Sequence, residues 1–223
     1  MVTESAWDAL PSYVRLALEA IHDGATADSQ ESLILEFKED PTAREGNGAR
    51  AKLVEKLLNE AICMANSEAA TGHIVVGVAD RTPGAGAFTG TELGEEDIAR
   101  RIFNGTKPNM NVQVTAVHAW GARLVVIHVP EARALYTRGD GAAKRRTADS
   151  QFSCQPMTEE LRRAIDAARR DPDYSNDPAD ITVDDLQLPV IEEARRMLRE
   201  HRRSRGSDAA IPQTSTGLRQ DLG

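Results

Sequence analysis

Apolar residues recur at helical spacing over 7–22, WDALPSYVRLALEAIH, and Asp23-Gly24 supplies a stop, so the pattern predicts an N-terminal helix. A short polar link leads to SLILEFKE, which reads as a strand, and PTAREGNGAR (41–50) reads as a flexible loop. AKLVEKLLNEAICMANSE then sets Leu53, Leu57, Ala61, Ile62 and Ala65 along one side of an amphipathic helix. GHIVVGVAD (72–80) is a continuous run rich in β-branched residues, the pattern of a buried central strand. RTPGAGAFTG is a glycine-rich loop, and LGEEDIARRIFNGT is a short helix with a stop at Gly105 and Pro108 beyond it. NVQVTAVHAW and ARLVVIHVP flank Trp120-Gly121-Ala122 as a hairpin. If Gly121 and Ala122 form its turn, position 118 faces 125 and 128 faces 115, so His118 and His128 are not a pair. A basic strand, AAKRRTADS, leads to Thr158 as the cap of a helix over EELRRAIDAARR. The mixture of helix, strand and hairpin predicts an α+β fold.

The pattern also divides the chain: an N-terminal helix (1–26), a core (27–170), a linker with a basic helix that Pro189 kinks or delays (171–205), and a disordered tail (206–223). At 40% hydrophobic and 28% charged residues the composition is that of an ordinary globular protein, with a core resting on aliphatic side chains because aromatics are only 4%. No apolar run approaches the roughly 18–20 residues of a membrane helix. The first ten residues carry Glu4 and Asp8 with no basic flank, unlike a signal peptide. Cys63 and Cys154 are too few for a disulfide framework or a zinc site, which suits a reducing cytoplasm.

The net charge of −8 argues against nucleic acid until its distribution is considered. Residues 1–40 hold nine acids against Arg15 and Lys38, residues 141–170 hold seven bases against four acids, and residues 195–205 hold six arginines against Glu200. Such polarity draws a polyanion to one face, and it equally describes solvated helices.

Several site types are missing. There is no G-x-x-x-x-G-K-[ST] phosphate loop, no G-x-S-x-G nucleophile turn and no His/Cys cluster of metal-ligand spacing. GAGAFTG does not open into a helix, which favours a mobile loop over a phosphate cradle. Carboxylates remain. Glu36 and Lys38 share one face of a strand, with Leu35 and Phe37 on the other. On periodicity alone they are a solvated edge; as a site, Glu-x-Lys suits a divalent cation beside a phosphate. Glu31, five residues before Glu36, joins it only if the backbone bends between them. Asp80 ends the buried strand, as a turn residue or as a third acid; three converging acids need a cation such as Mg²⁺ or Mn²⁺, or Lys38, to offset their repulsion.

In order, ESLILEFK (31–38), AICMANS (61–67), IVVGVAD (74–80), VVIHVP (125–130) and KRRTADSQFSCQPMTEEL (144–161) resemble the Schlafen/AlbA-like domain. The resemblance implies a mixed, largely antiparallel sheet flanked by helices. Its nuclease members use two glutamates five apart, a later aspartate and a nearby lysine, which match Glu31, Glu36, Asp80 and Lys38 here. One departure is the turn: NSEAATGH stands where the family usually has a double glycine, leaving only Gly72. The resulting expectation is a Mg²⁺- or Mn²⁺-dependent endoribonuclease acting on structured RNA such as tRNA. Glu31, Glu36 and Asp80 hold the cation, Lys38 binds the phosphate, and Arg138, Lys144, Arg145 and Arg146 grip the backbone. A single lobe implies a homodimer with a shared groove. The alternatives are a non-catalytic nucleic-acid-binding regulator on the same fold, and an interaction protein whose late arginine helix binds an acidic partner.

Overall fold

The computed structural model describes residues 4–42, 46–69, 71–132, 134–148 and 153–170, together with Arg196. Residues 1–172 form one compact unit and residues 173–223 a second. The predicted linker, basic helix and tail over 171–223 lie outside the described residues, Arg196 apart.

The expected N-terminal helix is two helices, α1 (Glu4–Asp8) and α2 (Ser12–His22). Pro11 breaks it: proline has no N–H to bond the preceding turn, and its ring keeps the residue before it out of helical geometry. The chain restarts beyond it, with the Val14 amide donating to the Pro11 carbonyl at 3.0 Å.

The strand predicted over SLILEFKE is only β1 (Leu35–Lys38). A 3₁₀ turn over Ala27–Gln30 and a reverse turn, in which the Ser32 amide donates to the Leu35 carbonyl at 3.0 Å, precede it. The helix α3 (Asn47–Ala65) starts inside the segment read as a loop, after Gly46 at φ +74°. Next come β2 (Gly72–Val76), α4 (Glu95–Gly105), β3 (Thr106–Lys107) and the hairpin β4 (Gln113–Ala119) and β5 (Ala122–Val129). The chain ends its described part with β6 (Thr137–Arg138), β7 (Lys144–Arg146), β8 (Cys154–Pro156) and α5 (Glu159–Arg170). Thr158 caps α5 as expected, its hydroxyl accepting the Leu161 amide at 3.3 Å.

The main sheet has the order β1-β2-β5-β4, parallel between β1 and β2 and antiparallel elsewhere; β3 with β6 and β7 with β8 form two-stranded antiparallel sheets. The fold is therefore α+β with a mixed, largely antiparallel sheet. The β4–β5 register corrects the expected one. Trp120 (φ +48°) and Gly121 (φ +79°) are the turn, both left-handed as a two-residue hairpin of this type requires. His118 accordingly faces Arg123, and His128 faces Gln113.

Two cores sandwich the sheet. On one face Leu35, Phe37, Val75, Leu124 and Val126 meet Val14, Leu18 and Ile21 of α2. On the other, Ile74, Val76, Val125 and Ile127 meet Leu53, Leu57 and Ala61 of α3 and Ile98 and Ile102 of α4. Because Glu36 pairs with Ile74 and Lys38 with Val76, both charged residues lie on the face that α3 covers. Cys63 of α3 and Cys154 of β8 form a disulfide, a single bridge in a chain whose two cysteines, too few for a framework, suit a reducing compartment by count. The spacing of 91 residues hides this pairing from any local reading. Among the described residues no helix is long and apolar enough to cross a membrane.

Candidate functional site

Burial of strand β1 under α3 decides what its charges do. Glu36 is 5% exposed, so it is not a wet strand edge. Lys38 bonds one of its carboxylate oxygens and Arg146 the other. Arg146, itself 2% exposed, also donates to the Ser32 carbonyl at 2.9 Å and to Oε2 of Glu60 at 3.0 Å. Its Nε is buried with no partner. Glu60, on α3, lies 4.0 Å from Nζ of Lys38 and completes a cluster of two cations with the buried Glu36 and the half-buried Glu60 carboxylates.

Glu31 enters from the turn before β1. Its Oε1 accepts the Phe37 amide at 3.2 Å, satisfying an N–H of the sheet's edge strand. The backbone bend demanded by the odd spacing of Glu31 and Glu36 is thus present, in the turn over Ser32–Leu35. Asp80 is exposed beyond the end of β2, and its carbonyl accepts the Asp28 amide at 3.1 Å.

Burial is the main influence on the acids around the cluster. Burial raises the pKa of Glu31; the Phe37 amide and the Arg146 charge oppose the rise, and Asp80 and Asp28 add to it. Partial desolvation also raises Asp80, with Asp28 adding and Lys56 and Arg81 opposing. Glu60 is pushed up to about 7 by burial and by the charge of Glu31, against Lys144 and Lys56; the Arg146 hydrogen bond also opposes this rise. Burial lowers Arg146 to about 10, which leaves it a cation at neutral pH.

Among the described residues no three His, Cys, Asp or Glu side chains converge as a ready ligand set for a metal ion. Glu36 in particular has both oxygens bound to cations of the chain. Glu31 and Asp80, each raised by burial and then by neighbouring acids, are the hard oxygen donors that remain. Two carboxylates with water and a substrate phosphate are a usual setting for Mg²⁺, so the donor chemistry fits that ion with Glu31 and Asp80 rather than with the expected three acids.

The expected backbone-gripping residues are mostly committed within the protein. Arg138 pairs with Glu55 and donates to Oδ1 of Asn59 at 3.1 Å. Arg145 pairs with Glu68 at 2.9 Å, and Arg146 is buried in the cluster just described, where no external phosphate reaches it. Lys144 is half-buried and lends its charge to Glu60. A cleft of about 260 Å³ opens instead between β1 and α3, lined by Lys38, Lys52, Lys56, Glu39, Pro41 and Asp80. Lys52 and Lys56 are exposed, and neither forms an ion pair with a described residue. Sequence reading missed them, although their i, i+4 spacing on an amphipathic helix was the available signal.

The unusual turn after α3 is well anchored. Asn66, buried, donates to the carbonyls of Tyr136 (2.7 Å) and Lys144 (3.0 Å) and accepts the Tyr136 amide at 2.9 Å. This ties β6 and β7 to the end of α3. Gly72 packs closely there: a Cβ would stand 2.7 Å from Sδ of Met64 and 3.2 Å from the Ile34 carbonyl, so the Met64 side chain would have to move.

Comparison with known proteins agrees with this architecture. The DIP2311 protein from Corynebacterium diphtheriae is similar in structure, with a TM-score of 0.53 and 23% identity, over 82% of this chain and 38% of that one. The chain thus spans well under half the length of that protein, and the likeness concerns the fold. No curated protein matches the sequence. The family model described as "Schlafen, AlbA_2" matches residues 31–154, a segment that runs from the first glutamate of the site to the cysteine of β8. The chain belongs to the Schlafen AlbA_2 family, which points to a nucleic-acid-related function.

Proposed function

We propose that the protein is a divalent-metal-dependent endoribonuclease that takes the backbone of structured RNA, such as tRNA, into the cleft between β1 and α3. The observation that carries this reading is the pairing of two carboxylates that form no ion pair with a described residue, Glu31 and Asp80, with the lysine-lined cleft that Asp80 borders. Lys38, Lys52 and Lys56 bind backbone phosphates as point charges. Glu31 and Asp80 would hold a Mg²⁺ or Mn²⁺ ion, which when bound supplies Lewis-acid activation of phosphoryl oxygen and water. Glu36 positions Lys38 through their ion pair, and Arg146 holds Glu36 in place from below.

A second reading, a non-catalytic nucleic-acid-binding regulator, is favoured by the complete engagement of Glu36 with Lys38 and Arg146. Incubation of the protein with tRNA and Mn²⁺, beside Glu31→Gln and Asp80→Asn, separates the two. We expect cleavage by the wild type and a loss of roughly hundredfold or more in each variant. Binding without cleavage selects the regulator, and equal cleavage by all three proteins removes these acids from the chemistry.

A further inference from the structure

We infer that the Cys63–Cys154 disulfide is a redox-sensitive tie that holds the basic β7–β8 hairpin against the site. Cys63 lies in α3, three residues after Glu60, and is fully buried; Cys154 begins β8 and is partly exposed. The Cys154 sulfur lies 3.2 Å from Oε2 of Glu60. As a disulfide sulfur it carries no proton, so this is a packing contact and not a hydrogen bond. Glu60 bonds Arg146 at 3.0 Å, and Arg146 bonds Glu36, the partner of Lys38. A continuous line of contacts therefore runs from the disulfide to the cleft lysine.

Beyond its own pairing and the Met157 amide, which donates to the Ala143 carbonyl at 3.1 Å, the hairpin has the disulfide as its covalent tie to α3. It has only three residue pairs, Lys144 with Pro156, Arg145 with Gln155 and Arg146 with Cys154. A two-stranded sheet so short is not stable unaided. Strand β7 is fixed independently through Asn66 and through the Arg145–Glu68 and Arg146–Glu60 pairs, whereas the disulfide is the covalent anchor of β8.

The chemistry balances with a dithiol as the reductant. One of its thiolates attacks the sulfur of Cys154, the more exposed residue of the pair, the sulfur–sulfur bond breaks, and Cys63 leaves as a thiolate that takes up a proton. The second thiol of the reductant then displaces Cys154, which is protonated in turn. The dithiol is oxidised to a disulfide and the protein gains two electrons and two protons. The released Cys154 thiol can now donate to Glu60, in competition with Arg146.

The test uses the full chain, oxidised and after dithiothreitol, with mass spectrometry counting free thiols. Amide hydrogen exchange is read across β7 and β8, with β2 and β5 as internal reference. Binding of a fluorescently labelled tRNA is read in parallel; that arm rests on the proposed RNA-binding function. We expect reduction to raise exchange in β8 by roughly tenfold or more, with β2 and β5 unchanged, and to weaken tRNA binding severalfold. The Cys63→Ser/Cys154→Ser variant should show the reduced behaviour under both conditions. The inference is overturned if the oxidised protein contains two free thiols, if exchange in β8 is unaffected by reduction, or if exchange rises throughout the sheet. tRNA binding by neither form, with a local rise in β8 exchange, would remove the RNA-binding function and leave the tie standing.

Discussion

Arg146 concentrates more of the site's electrostatics than any carboxylate in it. One guanidinium serves Glu36, Glu60 and the Ser32 carbonyl; Glu36 is buried with it and Glu60 half-buried. A lysine cannot replace it, because a single ammonium lacks the planar fork that reaches three acceptors. Removing one member of a buried charge cluster leaves its partners desolvated and unpaired, and this costs more than the pair itself contributes. We expect Arg146→Ala to lose about 3–5 kcal/mol of stability in urea denaturation, and Arg146→Lys to recover only part of it. A loss under about 1 kcal/mol would show that the cluster is hydrated and that its pairs do little. The cost follows from the sheet parity that places Glu36 under α3, opposite Ile74, with the aliphatic core around it.

Among the elements, the contact of α2 with β2 and β5 carries its own titration. Tyr13 of α2 hydrogen-bonds Nδ1 of His73 in β2, whose Nε2 lies 3.2 Å from Nδ1 of His128 in β5. With the tyrosine hydroxyl donating, a neutral His73 passes its own N–H to His128. Burial, and then the proximity of His128, lowers His73 from 6.5 to about 4. The unfolded chain takes up this proton near pH 6.5 and the fold only near 4, so the stabilisation is complete above about 6.5 and is lost as pH falls between those values. The carboxylates pushed upward, Glu31, Glu60 and Asp80, run the other way, so the informative quantity is a difference between chains. Thermal melts at pH 7.5 and 4.5 should show a loss in the wild type exceeding that of His73→Gln by about 2 kcal/mol. Equal losses would mean that His73 is protonated within the fold. What the sequence disclosed at this scale was what repeats locally: the periodicity of α3, the apolar run of β2 and the cap of α5. Proximities between distant segments were hidden. His128 meets His73 across 55 residues, Arg146 meets Glu36 across 110, and Glu60 looked like any other polar position of an amphipathic helix. The Glu31–Glu36 bend was legible only as a requirement, since periodicity states that a flat strand fails without saying where the turn falls.

For the whole molecule, the proposed function raises the question of how a chain of net charge −8 would hold a polyanion. The total does not decide it, because most arginines of the described unit are neutralised where they stand: Arg138 by Glu55, Arg145 by Glu68, Arg146 by Glu36 and Glu60. An arginine already paired releases few counterions when a phosphate arrives, whereas an unpaired cleft lysine releases about one. The cleft between β1 and α3 is therefore where salt-dependent binding should reside, with Lys52 and Lys56 contributing more than the arginine-rich strand that the sequence first suggests. Titrating labelled tRNA at several salt concentrations measures this directly. Each phosphate contact adds about 0.7–0.9 to the slope of log affinity against log salt, so Lys52→Gln/Lys56→Gln should lower the slope by roughly 1.5. Arg138→Gln should leave it nearly unchanged, because the guanidinium is already spent on Glu55. The reverse outcome would move the nucleic acid from the cleft to the β6–β7 surface, and the acids of the site would then lie away from the bound backbone.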